Sequence, residues 1–165
     1  MTNHNFIHRI GIGYDLHRLT EGRPLIIGGV TISHHKGLQG HSDADVLIHA
    51  IIDAILGALA LGDIGTYFPD TDPKYKNIDS KILLKQTVQV LQQNGWKIVN
   101  LDTTIIAEQP KLKPYIKSMR DVLSQLLQIP LECTSVKAKT NEGVGPEGKE
   151  EAISAFAVVL ISQKS

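Results

Sequence analysis

The stretch "GHSDADVLIHAIIDAILGALALG", residues 40–62, sets Asp45, His49 and Asp53 four residues apart in an otherwise apolar run. Each step of four advances about 40° around an α-helix, so the three side chains form one narrow polar stripe. The remaining positions are mostly Val, Leu, Ile and Ala, which makes the helix apolar nearly all round and fit for a core. It is expected to begin after Ser42, capped by Ser42 or Asp43, and to end at Gly62. The stripe has two readings: it faces solvent, as charge runs usually do, or it faces a polar site. Composition favours the site. The helix interior has no Lys, Arg, Glu or Gln, the usual residues of a solvated face, and carries instead Asp and His, poor helix formers that bind metals.

Working outward, "RIGIGYDLHRL" contains the first strand, expected over residues 6–17, with glycines that allow close backbone approach. "RPLIIGGVTIS" reads as a hairpin turning at Gly28-Gly29. Residues 63–79 read as a loop. Residues 80–94 follow as an amphipathic surface helix with Ile82, Leu83, Val90 and Leu91 on its apolar face. A strand over 96–108 and a helix over 112–128, with Pro114 in its first turn, come next. Strands over 134–140 and 152–162 close the chain, the last apolar enough for burial on both faces. This order predicts one α+β domain over residues 1–165, a mixed β-sheet with helices layered on one face, behind a short polar extension at 1–6. The helix at 43–62 and the last strand carry more apolar surface than a small two-layer domain buries, so an oligomer is expected.

At 165 residues the chain has the size of one domain, and its 17 basic and 17 acidic residues cancel, which gives no electrostatic footprint for nucleic acid. The single cysteine, Cys133, excludes an internal disulfide and suits a reducing compartment, so the cytoplasm is expected. "MTNHNFIHRIG" shows no leader pattern. The longest apolar run, residues 46–61, is broken by His49 and Asp53 and falls short of the roughly 20 residues a membrane span needs. No membrane partner is expected.

In "YDLH", Asp15 and His17 are two apart on a strand and share a face. With His49 they form an Asp-His-His set, three protein ligands and an open fourth position, the pattern of a catalytic divalent site, zinc first. The alternative is two unrelated surface residues. His41, Ser42 and Asp43 at the helix entrance suit an anion such as phosphate, although a plain N-cap accounts for Ser42 and Asp43. "GIGYD" is not a phosphate loop, since neither GK[ST] nor a helix follows it. In "KTNEGVGPEG", Lys139 and Thr140 suit phosphate oxygens and Glu142 suits Mg²⁺, or the segment is a simple turn. His4, His8, His34 and His35 read as surface residues.

The blocks "GIGYDLHRL", "IIGGV", "GHSDADVLIHAIIDAILGALALGDIGTYFPDTD", "DTTIIAEQPKLKP" and "VKAKTNEGVG", in this order over nearly the whole chain, closely resemble the 2-C-methyl-D-erythritol 2,4-cyclodiphosphate synthase family. The resemblance implies a homotrimer with active sites where neighbouring subunits meet. It implies a small-molecule substrate, 4-diphosphocytidyl-2-C-methyl-D-erythritol 2-phosphate, cyclised with release of CMP. Asp15, His17 and His49 match the zinc ligands, one ion per subunit, and Glu142 matches the residue that holds Mg²⁺ or Mn²⁺ with the substrate diphosphate. Thr140 matches the diphosphate-binding threonine, with Lys139 beside it. His41 and Ser42 match a flexible loop on the 2-phosphate, and His41 and Thr140 carry the catalytic assignment. Asp63 and Gly65 match the methylerythritol pocket, and Asp70 is also assigned to the substrate. Ala107, Pro110, Lys111 and Leu112 match a cytosine pocket built from backbone groups. Asp45 is then a support that orients loop or ligand groups, and Asp53 a support paired with a basic group.

The chain departs from family members that carry "KLGFTGRGEG" after the glutamate. Here "GVGPEGKEEA" puts Pro146 and Lys149 where those members have a Phe and an Arg lining a trimer cavity proposed for an isoprenoid diphosphate, so the resemblance stops short of that cavity. Two other functions fit the metal set. One is a zinc-dependent phosphoesterase, which would release phosphate from simple esters. The other is a non-enzymatic metal- or nucleotide-binding trimer, in which Thr140 and Glu142 would be dispensable.

Overall fold

The computed structural model describes residues 6–164. The chain runs β1 (Phe6–Glu21), β2 (Leu25–Ile27), β3 (Val30–Ile32), β4 (Lys36–Leu38), α1 (Val46–Ala58), α2 (Ile64–Tyr67), α3 (Ser80–Gln93), β5 (Lys97–Ile106), α4 (Ile116–Leu127), β6 (Thr134–Lys139), α5 (Gly145–Gly148) and β7 (Ala152–Lys164). Five strands form one sheet in the order β4-β1-β7-β5-β6. All its pairs are antiparallel except β5 with β6, so the sheet is mixed. β2 and β3 form a separate hairpin closed by Gly28 and Gly29, both with positive φ as such a turn requires.

Alternation along β1 decides where α1 sits. Gly11 and Gly13 point to one face, and a Cβ on either would lie 1.8 Å from the Ala54 carbonyl oxygen or 1.9 Å from that of Ala50. The backbones of β1 and α1 therefore touch, which only glycine permits. Leu47, Ile48, Ile51, Ile52, Ile55 and Leu56 fill the remaining space without exposure. The helix apolar all round is thus covered within its own chain, by the sheet beneath, α3 beside it and the β2–β3 hairpin. The opposite sheet face is another matter. Ile10, Ile12, Tyr14, Phe156 and Val158 lie on it, Ile10 and Ile12 about 70% exposed. Burial of the last strand on both faces therefore does not occur within one chain, because on that side α5 covers the start of β7, where the Ser154 hydroxyl donates to Glu147 at 2.8 Å, and leaves Phe156 and Val158 exposed.

Several boundaries differ from the sequence expectation. α1 starts at Val46, not after Ser42, because Ala44 has φ +58° and the Asp45 carboxylate, not Ser42 or Asp43, accepts the Ile48 N–H as the cap. It stops at Ala58, short of Gly62, where Ala60 turns left-handed and the Leu61 N–H closes on the Leu56 carbonyl. β1 continues past residue 17 to pair Leu19–Glu21 with the unexpected strand β4. The loop at 63–79 contains a short helix, α2. In α3 the buried stripe is Leu83, Leu84, Thr87, Val88 and Leu91, while Ile82 is 46% exposed. Pro114 sits in a 3₁₀ turn ahead of α4. Of the expected extension at 1–6, Phe6 opens β1 and the rest lies outside the described residues, as does His4. His8 and His35 are exposed and His34 half-buried.

Candidate metal centre and substrate cleft

Asp15 and His17 continue the inward row of Gly11 and Gly13, and His49 stands one residue before Ala50 on the helix that those glycines draw in. Three donor atoms meet as a result. His17 Nε2 lies 2.9 Å from Asp15 Oδ2 and 3.1 Å from His49 Nδ1, which is 3.0 Å from Asp15 Oδ2. One ion can touch all three at ordinary zinc bond lengths of about 2.0–2.1 Å. The chemistry of the set fits a cation. His17 Nδ1 is 2.8 Å from the Gln39 carbonyl, which can only accept, so Nδ1 carries the proton and, in the neutral ring, Nε2 turns a lone pair toward the other two donors.

The electrostatics agree. Burial alone would raise the Asp15 carboxyl, but the imidazoles of His17 and His49 hold it well below the usual carboxylate range. Burial works against charge on His17, and the adjacent Asp15 outweighs it, so its pKa ends above the ordinary imidazole value. On its far side His49 Nε2 is 2.9 Å from Ser80 Oγ and 3.2 Å from Ser42 Oγ. The three donors open on a cavity of about 510 Å³, whose wall also includes His41, Ser42, Gly65, Phe68, Asp70 and Tyr75. The loop bearing His41 and Ser42 is tied on both edges. Arg23 donates to the Gly40 and Ser42 carbonyls at 3.2 and 2.6 Å, and the Asn77 N–H donates to the His41 carbonyl at 2.8 Å.

A second cavity, about 280 Å³, lies at the C-terminal ends of β5 and β6, lined by Ala107, Pro110, Lys111, Leu112, Lys139 and Thr140 among others. Among the described residues, none lines both cavities. Glu142 lines neither; φ is +50° there and its Oε1 accepts the Thr140 hydroxyl at 2.6 Å. The single chain thus brings Asp15, His17, His41, Ser42, His49, Gly65 and Asp70 together, and separately gathers Ala107, Pro110, Lys111, Leu112, Lys139 and Thr140.

A sequence profile of the YgbB family matches residues 8–162. The chain belongs to the YgbB family. The protein named 2-C-methyl-D-erythritol 2,4-cyclodiphosphate synthase in Synechococcus elongatus is 59% identical over 153 residues, 93% of this chain and 96% of that protein. Its namesake in Syntrophomonas wolfei is 57% identical over 155 residues, 94% and 99% of the two chains. Among solved structures, the bifunctional IspDF of Campylobacter jejuni superposes with a TM-score of 0.92 at 40% identity, covering 96% of this chain and 43% of that one. The CDP complex of Plasmodium falciparum IspF gives 0.84 at 37% identity, covering 96% and 97%.

Of the expected supports in this YgbB-family member, Asp45 orients loop groups alone and Asp53 finds a different partner, while Asp63 is engaged locally. Asp45 reaches no ligand group. It is fully buried and accepts the N–H groups of Gly28, Gly29 and Ile48 at 2.9, 2.6 and 3.1 Å, pinning the hairpin to the start of α1. Burial pushes its carboxyl up to about 6 against the pull of those donors. Among the described residues Asp53 pairs with no basic group; it accepts the Ile64 N–H at 2.7 Å and so ties the first residue of α2 to α1, and burial raises its carboxyl. Asp63 is bound to its own turn, accepting the Thr66 N–H and hydroxyl, which lower its pKa. Sequence reasoning missed Ser80, fully buried behind His49, and the aromatic wall in which Phe68 and Tyr75 meet edge-on at 5.5 Å between centroids. The first gives no local signal, since 31 residues separate it from His49. The aromatic spacing at 67, 68 and 75 in a turn-rich segment was a signal.

Proposed function

We propose that the chain cyclises 4-diphosphocytidyl-2-C-methyl-D-erythritol 2-phosphate to 2-C-methyl-D-erythritol 2,4-cyclodiphosphate in non-mevalonate isoprenoid synthesis. The observation that carries this reading is the convergence of Asp15, His17 and His49 at the mouth of a cleft walled by His41 and Ser42. Membership of the YgbB family supports it. An oxygen of the 2-phosphate forms a new bond to the β-phosphorus. The bond from that phosphorus to the oxygen bridging the two phosphates breaks, and CMP leaves with the electron pair. A phosphate ester is already anionic at neutral pH, so the chain supplies no strong base, and its work is positioning and charge.

Asp15, His17 and His49 would hold zinc, and the lone carboxylate of Glu142 fits Mg²⁺ or Mn²⁺, which binds through one or two carboxylates and substrate phosphates. When bound, such ions neutralise phosphate charge and align the attacking and departing oxygens. His41 and Ser42 bind the 2-phosphate, Gly65 and Asp70 orient the methylerythritol unit, and Asp63, whose Oδ1 is held in its own turn, offers that unit its other carboxylate oxygen. The backbone at Ala107, Pro110, Lys111 and Leu112 reads cytosine, while Thr140 and Lys139 bind the diphosphate. Thr140 does so by turning its hydroxyl from Glu142 to a phosphate oxygen.

One substrate must reach both cavities, and no residue is common to them. We therefore place the active site between the metal cleft of one subunit and the base pocket of the next, in a homotrimer closed through the apolar sheet face. No helix among the described residues is long and apolar enough to cross a membrane, and Cys133 is a free thiol; both accord with a cytoplasmic enzyme. The test is to incubate the protein with the substrate, Mg²⁺ and zinc and to follow CMP and the cyclic diphosphate. Equimolar formation of both is expected. Absence of CMP overturns the reading, and inorganic phosphate in its place indicates a phosphoesterase.

A further inference from the structure

We propose that Ser80 and Asp43 form a relay that sets the proton of His49 on Nε2 and so frees Nδ1 as a metal donor; this rests on the metal reading above. The two residues lie 37 apart in sequence, one at the start of α3 and the other in the loop before α1, and both stand behind His49, away from the cleft. Ser80 is fully buried. Its Oγ is 2.9 Å from His49 Nε2, and its hydroxyl makes a short hydrogen bond to Asp43 Oδ1. Asp43 is built as an acceptor: Oδ1 also takes the Asp45 N–H at 3.2 Å, and Oδ2 takes the Ser80 N–H at 3.0 Å.

The proton count then follows. Asp43 faces three donors, so the Ser80 proton points at it. A hydroxyl has one proton, which leaves Ser80 Oγ only lone pairs to offer His49. Nε2 must therefore be the N–H donor, or two lone pairs would face each other at 2.9 Å in a buried site. Ser42 Oγ does not replace Ser80. It is farther, at 3.2 Å, and its other hydrogen bond comes from the Ala44 N–H, so it has no carboxylate to fix its proton. With Nε2 protonated, the neutral ring presents a lone pair at Nδ1 to Asp15 and His17. His17 is oriented in the same sense by the Gln39 carbonyl, but the His49 relay ends on a carboxylate, which makes the imidazole the stronger donor. Ser80 and Asp43 are positioning residues: their side chains bond each other, His49 and the N–H groups of Asp45 and Ser80, and neither lines the cleft.

The test uses the full chain with zinc and, as a spectroscopic probe, Co²⁺. Ser80→Ala removes the hydroxyl from a small buried site and leaves the Asp79 cap of α3 in place. Asp43→Asn keeps the shape, but its amide can donate to Ser80 and reverse the relay. Both variants are expected to bind zinc about ten- to a hundredfold more weakly in competition with a chelator. Both should also change the visible Co²⁺ absorption, while the metal-free melting temperature of Ser80→Ala stays near wild type. Ser80→Thr, which restores the hydroxyl, should recover affinity and spectrum. Wild-type zinc affinity and Co²⁺ spectrum in either folded variant overturns the relay alone. A wild-type protein that takes up no zinc at Asp15, His17 and His49 overturns the metal reading, and the relay with it.

Discussion

His17 shows how one side chain answers to two conditions. In the metal-free protein Asp15 raises its pKa above about 6.5, the unfolded value, so protonated His17 stabilises the fold. That contribution is complete below the unfolded pKa and is lost as the pH rises through the folded one. Zinc imposes the opposite requirement, since a ligating imidazole must be unprotonated and metal competes with the proton. The two slopes diverge, and a measurement follows. The rise in melting temperature on adding excess zinc should be larger at about pH 8 than at about pH 6. An equal or smaller rise at the higher pH would remove His17 from the ligand set. Asp45, the cap of the helix that carries His49 and equally prominent in sequence, serves the fold instead. Its residue type and spacing do not distinguish it from a ligand; only the three backbone N–H groups brought to it by the hairpin do.

At the scale of elements, the metal centre depends on how closely α1 lies on β1. Gly11 and Gly13 bring the helix backbone against the strand, and His49 reaches Asp15 and His17 only at that separation. Gly13→Ala would place a methyl carbon 1.9 Å from the Ala50 carbonyl oxygen, next to His49. Both groups are backbone, so the helix must move. The variant is expected to lose about 1–3 kcal/mol in urea unfolding, or more, and to bind zinc more weakly even though every ligand is intact. Unchanged stability and zinc affinity would show that the contact does not set the site. The glycines, the hairpin turn and the apolar helix were legible in sequence, because each is a local rule about sterics or periodicity. So was the D-x-H pair with His49, as candidate ligands. What stayed hidden depends on distant partners. The start of α1 follows from Ala44 turning left-handed and Asp45 capping, and the first N–H of α2, on Ile64, is taken by Asp53, eleven residues earlier. Ser80 behind His49 follows from the packing of α3 on α1, which no short window of sequence records.

For the whole molecule, the surplus apolar surface anticipated in the sequence is real, but it lies on the sheet and not on α1. α1 is covered by its own chain, whereas the outer face of β1 and β7 is left open. Tyr14 and Phe156 pair across it with centroids 4.7 Å apart, and Ile12 stands opposite Val158. This exposed apolar patch is the face through which the proposed trimer closes. The metal donors sit on the other face, within one chain, while the proposed reaction needs a second chain for the base pocket. On that proposal, assembly and metal binding are separable. Ile12 is 69% exposed, so Ile12→Lys costs the isolated subunit little, within about 0.5 kcal/mol. In an assembly it would bury an unpaired charge from every subunit, which the contact cannot tolerate. Sedimentation should show a wild-type trimer and an Ile12→Lys monomer with unchanged secondary structure. The monomer should still bind one zinc per chain with near wild-type affinity but release almost no CMP. A trimeric variant, or a monomer with full turnover, would show that the sheet face is not what joins the two halves of the site.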